Sequence, residues 1–433
     1  MMERYSEYKD SGVKWLGEIP SHWEVVRGLG VFSENKSKNT QLENSTVLSL
    51  SYGKIIVKKD IDSGLVPEEY SSYQIVRPGC IIVRSTDLQN DKTSLRIGYV
   101  CDEGIITSAY LGLQVKGNNN DKYLYYFLHD WDITKEIYRH GNGLRQSLSW
   151  NDLRDNSVLL PPLSEQDAIV RYLDSATSEI DKAIAMQQKM IDLLNERKQI
   201  IIQNAVTKGL DENVEMKESG VESIGRIPIG WKIKKLKYVM RSFGRIGFRG
   251  YGTKDIVDEG QGAITLSPSN IQESSMDYSK RTYLSWNKYY ESPEIMIENG
   301  DVLMVKTGSS YGKCAIVKNM PMECTINPQL VVFKEHTEMP EYLAYCFQTS
   351  FAKFFINTSV IGGTIPTISQ EKINNYVFPF PMKSEQQQIV TYLDSDMQRF
   401  DSAITNCQRQ ITLLQERKQI IINEVVTGKV RVS

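Results

Sequence analysis

The sequence predicts a mixed α/β (α+β) protein in which two globular domains are separated by two long helices. These helices are predicted to form an antiparallel coiled coil, and the whole chain is predicted to have a pseudo-two-fold internal repeat. Two observations support this fold. A helical segment with apolar residues at heptad spacing occurs twice, which is the pattern of a coiled coil within a repeat. A shorter block also occurs twice, each time ahead of a region that differs between the copies.

Length and composition are those of a water-soluble protein of several domains. The chain has 433 residues, 40% of them hydrophobic and 24% charged, and this length predicts two to four domains. The six cysteines form no C-x-x-C pair, and no histidine lies at zinc-ligand spacing from them, so we expect no metal site. The first residues are polar, and no apolar run is long enough to cross a membrane. These features predict a cytoplasmic protein with no membrane partner.

The helical repeat is the clearest feature of the sequence. Residues 161–207 recur as residues 381–427 with about half the positions identical, including the run ERKQIII, and self-similarity of this extent indicates duplication. The shorter block DSGVKWLGEIPSHWEV, from Asp10, corresponds to ESGVESIGRIPIGWKI, from Glu218. The order is therefore block, variable region, helix, and then the same again. This layout predicts that the two ends of the chain meet.

Each long helix is predicted to begin at a serine. Ser164 is followed three residues later by Asp167, and Ser384 by Gln387, as in a capping box. Apolar residues follow at heptad positions: Leu173, Ile180, Ile184, Ile191, Leu194, Ile201 and Ala205 in the first copy, and Leu393, Met397, Phe400, Ile404, Ile411, Leu414, Ile421 and Val425 in the second. Polar residues interrupt both copies at the same places, Gln187 with Cys407 and Lys198 with Lys418. Shared register favours pairing of the two helices with each other, and packing on a partner helix is the alternative.

The whole arrangement resembles the specificity subunit of Type I restriction-modification systems. The resemblance rests on the order of the repeats, on the W-L-G-x-I-P-x-x-W block at residues 15–23 and on the PPLSEQ opening at residues 161–166. It covers nearly the whole chain. The second copy differs, with residues 223–225 reading SIG where residues 15–17 read WLG, and residues 381–383 reading PMK where residues 161–163 read PPL. Neither difference alters the layout.

The resemblance implies a non-catalytic DNA-binding subunit. Two target recognition domains would each read one half of a bipartite, asymmetric site in double-stranded DNA. The helices would set the spacing and dock two methylation subunits, and two restriction and motor subunits would join for cleavage. S-adenosylmethionine would bind the methylation subunits, and ATP with Mg²⁺ the motor subunits, so no cofactor is expected on this chain.

The implied domain boundaries follow the repeat. Residues 1–160 would form the first target recognition domain with the N-terminal block, 161–217 the central helical region, 218–380 the second target recognition domain, and 381–433 the C-terminal helical region. A helix of about forty residues is ~60 Å long. A rigid spacer of this length suits reading two short sites a fixed distance apart.

Motifs for catalysis are incomplete in this sequence. The segment NPQL from Asn327 lacks the second proline and the aromatic residue of an adenine methylase motif, and GSSYGKC from Gly308 is one residue short of a phosphate-binding loop. The E-x-K triplets on the helices have a sufficient explanation as a charged face, and the four histidines form no cluster. We therefore predict no catalytic residue and no metal ligand.

Candidate DNA-contacting residues of the first domain lie in short loops with hydrogen-bonding side chains. They are Asn142, Arg145, Gln146 and Ser147 in the glycine-rich segment, Arg84, Ser85 and Thr86 after the apolar strand at residues 81–83, and Tyr52 with Lys54 in an early loop. The alternative for the glycine-rich segment is an ordinary polar turn.

The second domain has candidates at matching places. They are Lys306, Thr307, Ser309, Ser310, Tyr311 and Lys313 after the strand at residues 302–305, Gly363 and Thr364 in the later loop, and Ser267 with Asn270 in the early loop. A basic stretch from Lys232 to Lys254 contains eight Lys or Arg and no acid. Within it, Arg245, Arg249 and Lys254 are predicted to contact phosphates. A solvated charged face is the alternative for this stretch.

Two other functions remain open from the residues alone. A two-domain helical scaffold or adaptor binding ligands other than DNA would share the repeat and the coiled coil. The net charge of −2 agrees with it, since phosphate binding needs local positive charge. A self-contained enzyme is the third possibility, and it would need nuclease or methylase activity from the chain alone.

Overall fold

A computed structural model describes residues 3–58, 70–89, 94–140, 146–272, 274–363 and 365–432. The chain divides into two compact units. The first unit comprises Met1–Gln188 and Gln408–Ser433, and the second comprises Lys189–Cys407. Among the helices of the described residues, none combines the length and the apolar character that a membrane span requires.

The α-helices range from single turns to two helices of more than forty residues. They are α1 (Gly28–Val31), α2 (Asp121–Ile133), α3 (Trp150–Arg154), α4 (Leu163–Lys208), α5 (Trp286–Tyr290), α6 (Pro340–Phe347), α7 (Ser350–Ser359), α8 (Gln370–Asn374) and α9 (Lys383–Val426). Short 3₁₀ turns occupy Glu136–Arg139, Leu236–Tyr238, Gly247–Arg249, Thr253–Asp255, Pro268–Asn270 and Pro293–Ile295.

The strands are short. Those of the first unit are β1 (Tyr8–Asp10), β2 (Glu18–Pro20), β3 (Glu24–Arg27), β4 (Phe32–Glu34), β5 (Leu48–Ser51), β6 (Lys54–Val57), β7 (Gln74–Val76), β8 (Ile81–Val83), β9 (Ile97–Tyr99), β10 (Gly104–Ile106), β11 (Leu111–Val115) and β12 (Ser157–Leu160). Those of the second unit are β13 (Met216–Glu218), β14 (Arg226–Pro228), β15 (Lys232–Lys235), β16 (Arg241–Phe243), β17 (Ile256–Val257), β18 (Gly262–Leu266), β19 (Ile271–Gln272), β20 (Ser275–Met276), β21 (Tyr283–Ser285), β22 (Met296–Ile297), β23 (Val302–Val305), β24 (Cys314–Ile316), β25 (Cys324–Ile326), β26 (Leu330–Lys334) and β27 (Val377–Phe380).

Both units contain the same antiparallel sheet. Its strand order is β4-β11-β8-β9 in the first unit and β16-β26-β23-β24 in the second. Around it, β12 pairs with β3 as β27 pairs with β15, and β1 pairs with β2 as β13 pairs with β14. The second unit also has a five-stranded sheet in the order β17-β21-β18-β25-β22. The predicted internal repeat of a mixed α/β fold is thus confirmed at the level of strand order.

One inner strand of each shared sheet, β8 or β23, is buried on both faces. In β8, Ile81 and Val83 belong to one apolar core and Ile82 to another. In β23, Val302 and Met304 likewise face one core, while Leu303 and Val305 face the other. Successive side chains of a strand point to opposite faces, so a strand covered on both sides needs a continuous apolar run. This requirement explains the runs IIV and VLMV in the sequence.

The long helices begin slightly earlier than predicted. Helix α4 begins at Leu163 and α9 at Lys383, so Ser164 and Ser384 lie inside the first turn and the prediction that they are N-caps is wrong. The carbonyl of Pro162 accepts from the backbone N–H groups of Glu165 and Gln166. The Gln166 side chain then donates to the carbonyl of Pro161 at 2.8 Å. These bonds identify Pro162 as the residue that precedes the first turn, so Ser164 is the second residue of the helix and is not its N-cap.

The heptad positions form the apolar seam, as predicted. Leu173, Ile180, Ile191 and Ala205 are buried on α4, and Leu393, Met397 and Val425 are buried on α9. Within the first unit, Ile169, Val170 and Leu173 near the start of α4 share a core with Ile422, Val425 and Val426 at the end of α9. Within the second unit, Ile202, Ala205 and Val206 at the end of α4 share a core with Ile389, Val390 and Leu393 near the start of α9. The start of each helix packing on the end of the other confirms antiparallel pairing.

The lysines that interrupt the seam are held by ion pairs. In the second unit, Lys198 Nζ lies 2.6 Å from Asp401 Oδ1. In the first unit, Lys418 Nζ lies 2.7 Å from Asp181 Oδ1. The side chains of Lys198 and Lys418 are 12% and 25% exposed. A polar pair at equivalent positions of both copies fixes the register of a coiled coil, because slipped helices would leave the ammonium groups without their partners.

A double-mutant cycle should detect this coupling. We expect Lys198→Ala and Asp401→Ala to interact by about 0.5–1 kcal/mol in the free energy of unfolding, since the pair is half exposed. Urea unfolding of both single variants, the double variant and the unchanged chain provides the measurement. The more exposed pair of Arg399 with Asp396 is the matched control and should give a smaller coupling energy. Strict additivity at Lys198 and Asp401 would contradict the register role.

Candidate nucleic-acid interface

In each unit the globular domain is attached to a long helix through a buried tryptophan. The indole Nε1 of Trp23 donates to Glu165 Oε2 at 3.0 Å. The indole of Trp231 donates to Glu385 Oε1 at 3.1 Å. Both tryptophans come from the repeated block and both glutamates from the first turn of a long helix. The two repeated blocks therefore form one structural joint in each unit.

The first of these joints is the more extensively bonded. Glu165 also accepts from the Tyr5 hydroxyl at 3.0 Å, and its Oε1 lies 2.6 Å from His22 Nε2. Burial alone would raise the pKa of Glu165. The hydrogen bonds from Trp23, His22 and Tyr5 outweigh burial, so the pKa is lowered. The carboxylate form is the one these donors stabilise.

In each unit, the tryptophan of this joint also contacts a glycine that follows the end of a long helix. Gly428 has φ +72°, and a Cβ there would lie 2.5 Å from Pro20 Cδ and 3.0 Å from the ring of Trp23. Gly209 has φ +77°, and a Cβ there would lie 3.3 Å from the ring of Trp231. The left-handed conformation and the close approach both require glycine. Both copies of the repeat thus contain a tryptophan, a glutamate and a glycine that meet in this joint.

In the first domain, the loop after β8 is hydrogen-bonded to the segment that precedes α3. The backbone N–H of Leu148 donates to the carbonyl of Ser85 at 2.8 Å, and that of Leu88 to the carbonyl of Gln146 at 3.2 Å. Two groups of predicted DNA-contacting residues, Arg84 to Thr86 and Gln146 with Ser147, are therefore brought together. Asn142 and Arg145 lie outside the described residues.

Some side chains in these loops already have partners within the domain. Gln146 Nε2 donates to the carbonyls of Tyr138 and His140 at 2.7 and 3.1 Å. Ser85 is buried, and its hydroxyl donates to the carbonyl of Ala109 at 3.4 Å. For these two residues the geometry favours support of the loop over direct contact with a base. Their DNA contact stays a prediction.

The early hairpin of the first domain lies beside a helix. Tyr52, in the turn between β5 and β6, is 86% exposed with φ +47°. Lys54 Nζ is 3.6 Å from Asp181 Oδ2 of α4, within the first unit. The exposed ring of Tyr52 is free of the domain core and suits a stacking or groove contact, which is untested.

In the second domain, the loop after β23 pairs with the later glycine loop. The backbone N–H of Gly308 donates to the carbonyl of Pro366 at 3.0 Å, and that of Ile368 to the carbonyl of Lys306 at 2.8 Å. Thr307 forms an isolated bridge with Thr367. The predicted residues Lys306 and Thr307 thus lie beside the exposed Gly363 segment. Thr364 lies outside the described residues.

Lys306 is the half-buried cation of this loop pair. Burial lowers the pKa of its ammonium group. A desolvated cation gains more from an incoming acceptor than an exposed one does. Beyond it, Lys313 and Ser309 are exposed and Ser310 is half-buried, and the hydroxyl of Tyr311 lies 3.4 Å from Asn357 Oδ1. The loop therefore presents polar groups of several kinds along one edge.

The basic stretch is divided between interior and surface. Arg245 is 5% exposed, and it donates through Nε to the carbonyl of Ile326 at 3.0 Å and through Nη2 to Thr325 Oγ1 at 2.9 Å. Its burial does not suit the predicted phosphate contact. Arg249 Nη1 lies 3.2 Å from Glu294 Oε1, whereas Lys254 is exposed. Lys254 is thus the best placed of the three for a phosphate.

The early loop of the second domain is internally bonded. Asn270 is buried, and its Nδ2 donates to the carbonyls of Asp277 and Lys280 at 2.9 and 2.8 Å. Its Oδ1 accepts from the backbone N–H of Ser267 at 2.9 Å. Asn270 therefore holds the loop together, and Ser267 is the more accessible of the two candidates.

Sequence reasoning missed two residues that organise these loops. Arg96 is fully buried under the loop after β8, and Gln329 accepts at its backbone carbonyl from the N–H of Lys306 at 2.8 Å. Arg96 lies in no recognisable motif, and Gln329 lies in the segment NPQL, whose only motif-like feature is a partial match to an adenine methylase. An arginine at the start of an apolar strand, as in R-I-G-Y-V at Arg96, was the one available signal. Among the described residues, no group of three or more His, Cys, Asp or Glu side chains is arranged to hold a metal ion.

Comparison with known proteins supports the resemblance seen in the sequence. Residues 20–189 and 251–415 match the model of the Type I restriction modification DNA specificity domain. The MjaVIII specificity subunit of a Type I restriction enzyme from Methanocaldococcus jannaschii is 25% identical, and the alignment covers 98% of this chain and 97% of the relative. A putative MjaX specificity subunit from the same organism is 24% identical, with 98% of both chains covered.

A solved structure shares the fold. It comes from a study of complex assembly and conformational transition in a Type I restriction-modification system, and it aligns with a TM-score of 0.69 over 94% of this chain and 98% of that chain at 16% identity. The family model matches two separate regions that together exceed half of the chain. The first region contains all four strands of the repeated sheet of the first unit, and the second contains β23, β24 and β26 of the corresponding sheet. The chain therefore belongs to the family of Type I restriction-modification DNA specificity subunits.

Proposed function

We propose that this chain reads a bipartite, asymmetric DNA site, with each recognition domain reading one half. One observation carries the proposal. The two units share a sheet of the same strand order, while the loops at the corresponding edge carry different side chains, Arg84 to Thr86 in one and Lys306 to Gly308 in the other. A shared scaffold with different loops is the arrangement expected of two modules that bind different sequences.

The long helices are proposed to set the distance between half-sites and to dock two methylation subunits, with two restriction and motor subunits joining for cleavage. Apolar side chains exposed on the helices support a docking role. In the second unit, Met190, Leu193 and Ile200 of α4 are 49%, 50% and 52% exposed. In the first unit, Leu413 and Ile420 of α9 are 47% and 56% exposed. Apolar residues at helical spacing outside the seam suit a further packed helix.

Catalysis is proposed to reside on the partner subunits. S-adenosylmethionine would serve base methylation there, and ATP with Mg²⁺ would serve the motor. On this chain we propose no cofactor and no catalytic residue, and we propose that the complex acts in the cytoplasm. The chain's contribution is to place the partners over a chosen sequence.

A domain exchange tests the proposal. Replacing residues 24–160 with the corresponding region of another specificity subunit should change one half of the methylated motif and leave the other half and the spacing unchanged. The reciprocal exchange of residues 232–380 is the matched control and should change the opposite half. Methylome sequencing of a host that carries each hybrid with its methylation subunits gives the motif directly.

Two results would contradict the proposal. If both halves changed on a single exchange, the domains would not be independent modules. If the unchanged chain assembled with methylation subunits but gave no motif, a scaffold binding ligands other than DNA would be favoured. Complex formation is measured separately by size-exclusion chromatography, so that a folding failure is recognised as such.

A further inference from the structure

Arg96 is a fully buried arginine directly beneath a predicted DNA-reading loop of the first domain. Its Nη1 donates to the carbonyls of Arg84 and Thr86 at 3.2 and 2.8 Å, and its Nη2 donates to the carbonyl of Asp87 at 3.1 Å. The backbone is also paired, since the N–H of Arg84 donates to the carbonyl of Arg96 at 2.8 Å. One guanidinium thus holds three carbonyls of a loop of four residues.

The same guanidinium reaches the second predicted loop. Arg96 Nε donates to the hydroxyl of Tyr138 at 3.1 Å, and its Cζ lies 5.5 Å from the centre of that ring. The backbone carbonyl of Tyr138 in turn accepts from Gln146 Nε2 at 2.7 Å. A chain of contacts therefore runs from the loop after β8, through Arg96 and Tyr138, to the segment before α3.

Backbone conformation indicates that this arrangement is imposed on the loops. Asp87 has φ +63° and Gln146 has φ +45°. Residues other than glycine seldom adopt this left-handed backbone region, because it costs free energy. Both residues are members of the linked loops, and the N–H of Leu88, next to Asp87, donates to the carbonyl of Gln146 at 3.2 Å. Such conformations persist where surrounding contacts determine them. The fork of Arg96 supplies such contacts on the Asp87 side.

From these contacts we infer that Arg96 is a positioning residue for DNA reading. It does not touch the duplex. It fixes the backbone from Arg84 to Asp87 so that the side chains of Arg84 and Thr86 meet the first half-site with one geometry. This inference rests on the proposed function of the first domain. A planar guanidinium with several fixed donors can hold diverging carbonyls, which a lysine ammonium on a flexible stem cannot do with the same geometry.

The test compares half-sites within one complex. Arg96→Met removes the fork and keeps most of the side-chain volume, and Tyr138→Phe removes one acceptor while keeping the ring. Each variant is assembled with methylation subunits, and methyl transfer is measured on duplexes that carry substitutions in the first or the second half-site. For Arg96→Met we expect discrimination at the first half-site to fall ~10- to 100-fold, the range that one or two base pairs carry. Discrimination at the second half-site should stay unchanged.

Three comparisons sharpen the result. Arg96→Lys should recover only part of the lost discrimination, and Tyr138→Phe should show a smaller loss at the same half-site. Arg245→Met removes a buried arginine of the second domain and should leave reading of the first half-site intact. These patterns separate positioning from general destabilisation, which would lower methylation of every duplex equally.

The inference is overturned if Arg96→Met and Tyr138→Phe assemble and discriminate at the first half-site as the unchanged chain does, or if both half-sites lose discrimination equally. The proposed function fails in a different way. In that case the unchanged complex itself would show no dependence on either half-site, whatever residue stood at position 96.

Discussion

Trp23→Ala is expected to destabilise the first unit by about 3–5 kcal/mol, the usual cost of removing a buried aromatic side chain. Trp23 is fully buried, its ring centre lies 5.6 Å from that of Tyr5, and its indole donates to Glu165 on α4. Truncation would open a cavity beneath Gly428 and remove one donor from a carboxylate that is held by three. The expected consequence is a first domain only loosely attached to its helix.

The second copy provides the matched variant. Trp231 is 2% exposed and donates to Glu385, so Trp231→Ala should cause a loss of similar size in the second unit. Hydrogen exchange resolved by peptide assigns each loss to a unit, which a single unfolding curve of a chain with two units does not. Trp23→Phe keeps most of the ring and removes the donor, and about 1–2 kcal/mol is expected for it.

Two outcomes would argue against the joint. A loss below about 1 kcal/mol for Trp23→Ala would place it among ordinary surface substitutions. A loss of protection that was larger in the opposite unit would contradict the assignment of each tryptophan to its own unit. Trp15→Ser offers a further comparison, because Ser223 stands at the equivalent position of the second copy, and it should cost less than Trp23→Ala.

The long helices could be predicted because periodicity alone determines them. Apolar residues at heptad spacing define a seam for any helix, and the duplicated register favoured pairing of the two helices over packing on a separate partner helix. The predicted helix starts were too late, because the first hydrogen bonds of the two helices are accepted by the carbonyls of Pro162 and Met382, which precede both serines. A serine can lie before a helix as its cap or inside the first turn, and the sequence pattern does not distinguish these two positions.

Strands β8 and β23 could also be predicted from the sequence, whereas the internal contacts of the loops with predicted DNA-contacting residues could not. Runs such as IIV and VLMV are needed wherever a strand is covered on both faces. In contrast, Arg245 was grouped with a basic stretch, although its partners Thr325 and Ile326 lie about eighty positions further along the chain. A charge run reports how many cations are present. It does not report which of them meets a carbonyl inside the domain.

The adjacent residues His129 and Asp130 of α2 should make opposite contributions to the pH dependence of the free energy of unfolding. Substituting one of them should therefore expose the contribution of the other. Burial is the main cause in both cases. It lowers the pKa of His129 to about 4, with the nearby Lys418 adding to the effect. It raises the pKa of Asp130 to about 6, against the hydrogen bond from Asn423 and the charge of Lys429. Both groups belong to the first unit, where Asn423 Nδ2 of α9 lies 3.1 and 3.0 Å from the two carboxylate oxygens of Asp130.

The signs follow from proton binding in the folded and unfolded states. Unfolded histidine titrates at about pH 6.5, so below this pH the unfolded chain binds more protons at position 129 than the folded chain does. Stability therefore falls as the pH drops from about 7 towards 4. Unfolded aspartate titrates at about pH 3.9, so the folded chain binds more protons at Asp130 between about pH 6 and 4. Stability therefore rises as the pH falls through that range. At ~1.36 kcal/mol per pKa unit each full contribution is about 3 kcal/mol, and about 2–3 kcal/mol of each develops between pH 7.5 and 4.5. In the unchanged chain the two largely cancel.

His129→Leu should therefore leave the contribution of Asp130 unopposed. Relative to the unchanged chain, the free energy of unfolding of this variant should rise by about 2–3 kcal/mol between pH 7.5 and 4.5. For Asp130→Asn, the free energy of unfolding relative to the unchanged chain should fall by about 2 kcal/mol over the same range, because only His129 then contributes. Urea unfolding at several pH values gives both differences, and the comparison with the unchanged chain removes the titration of all other groups. If the free energies of unfolding of both variants followed the same pH dependence as that of the unchanged chain, the two side chains would have ordinary pKa values. That result would contradict their burial between α2 and the end of α9.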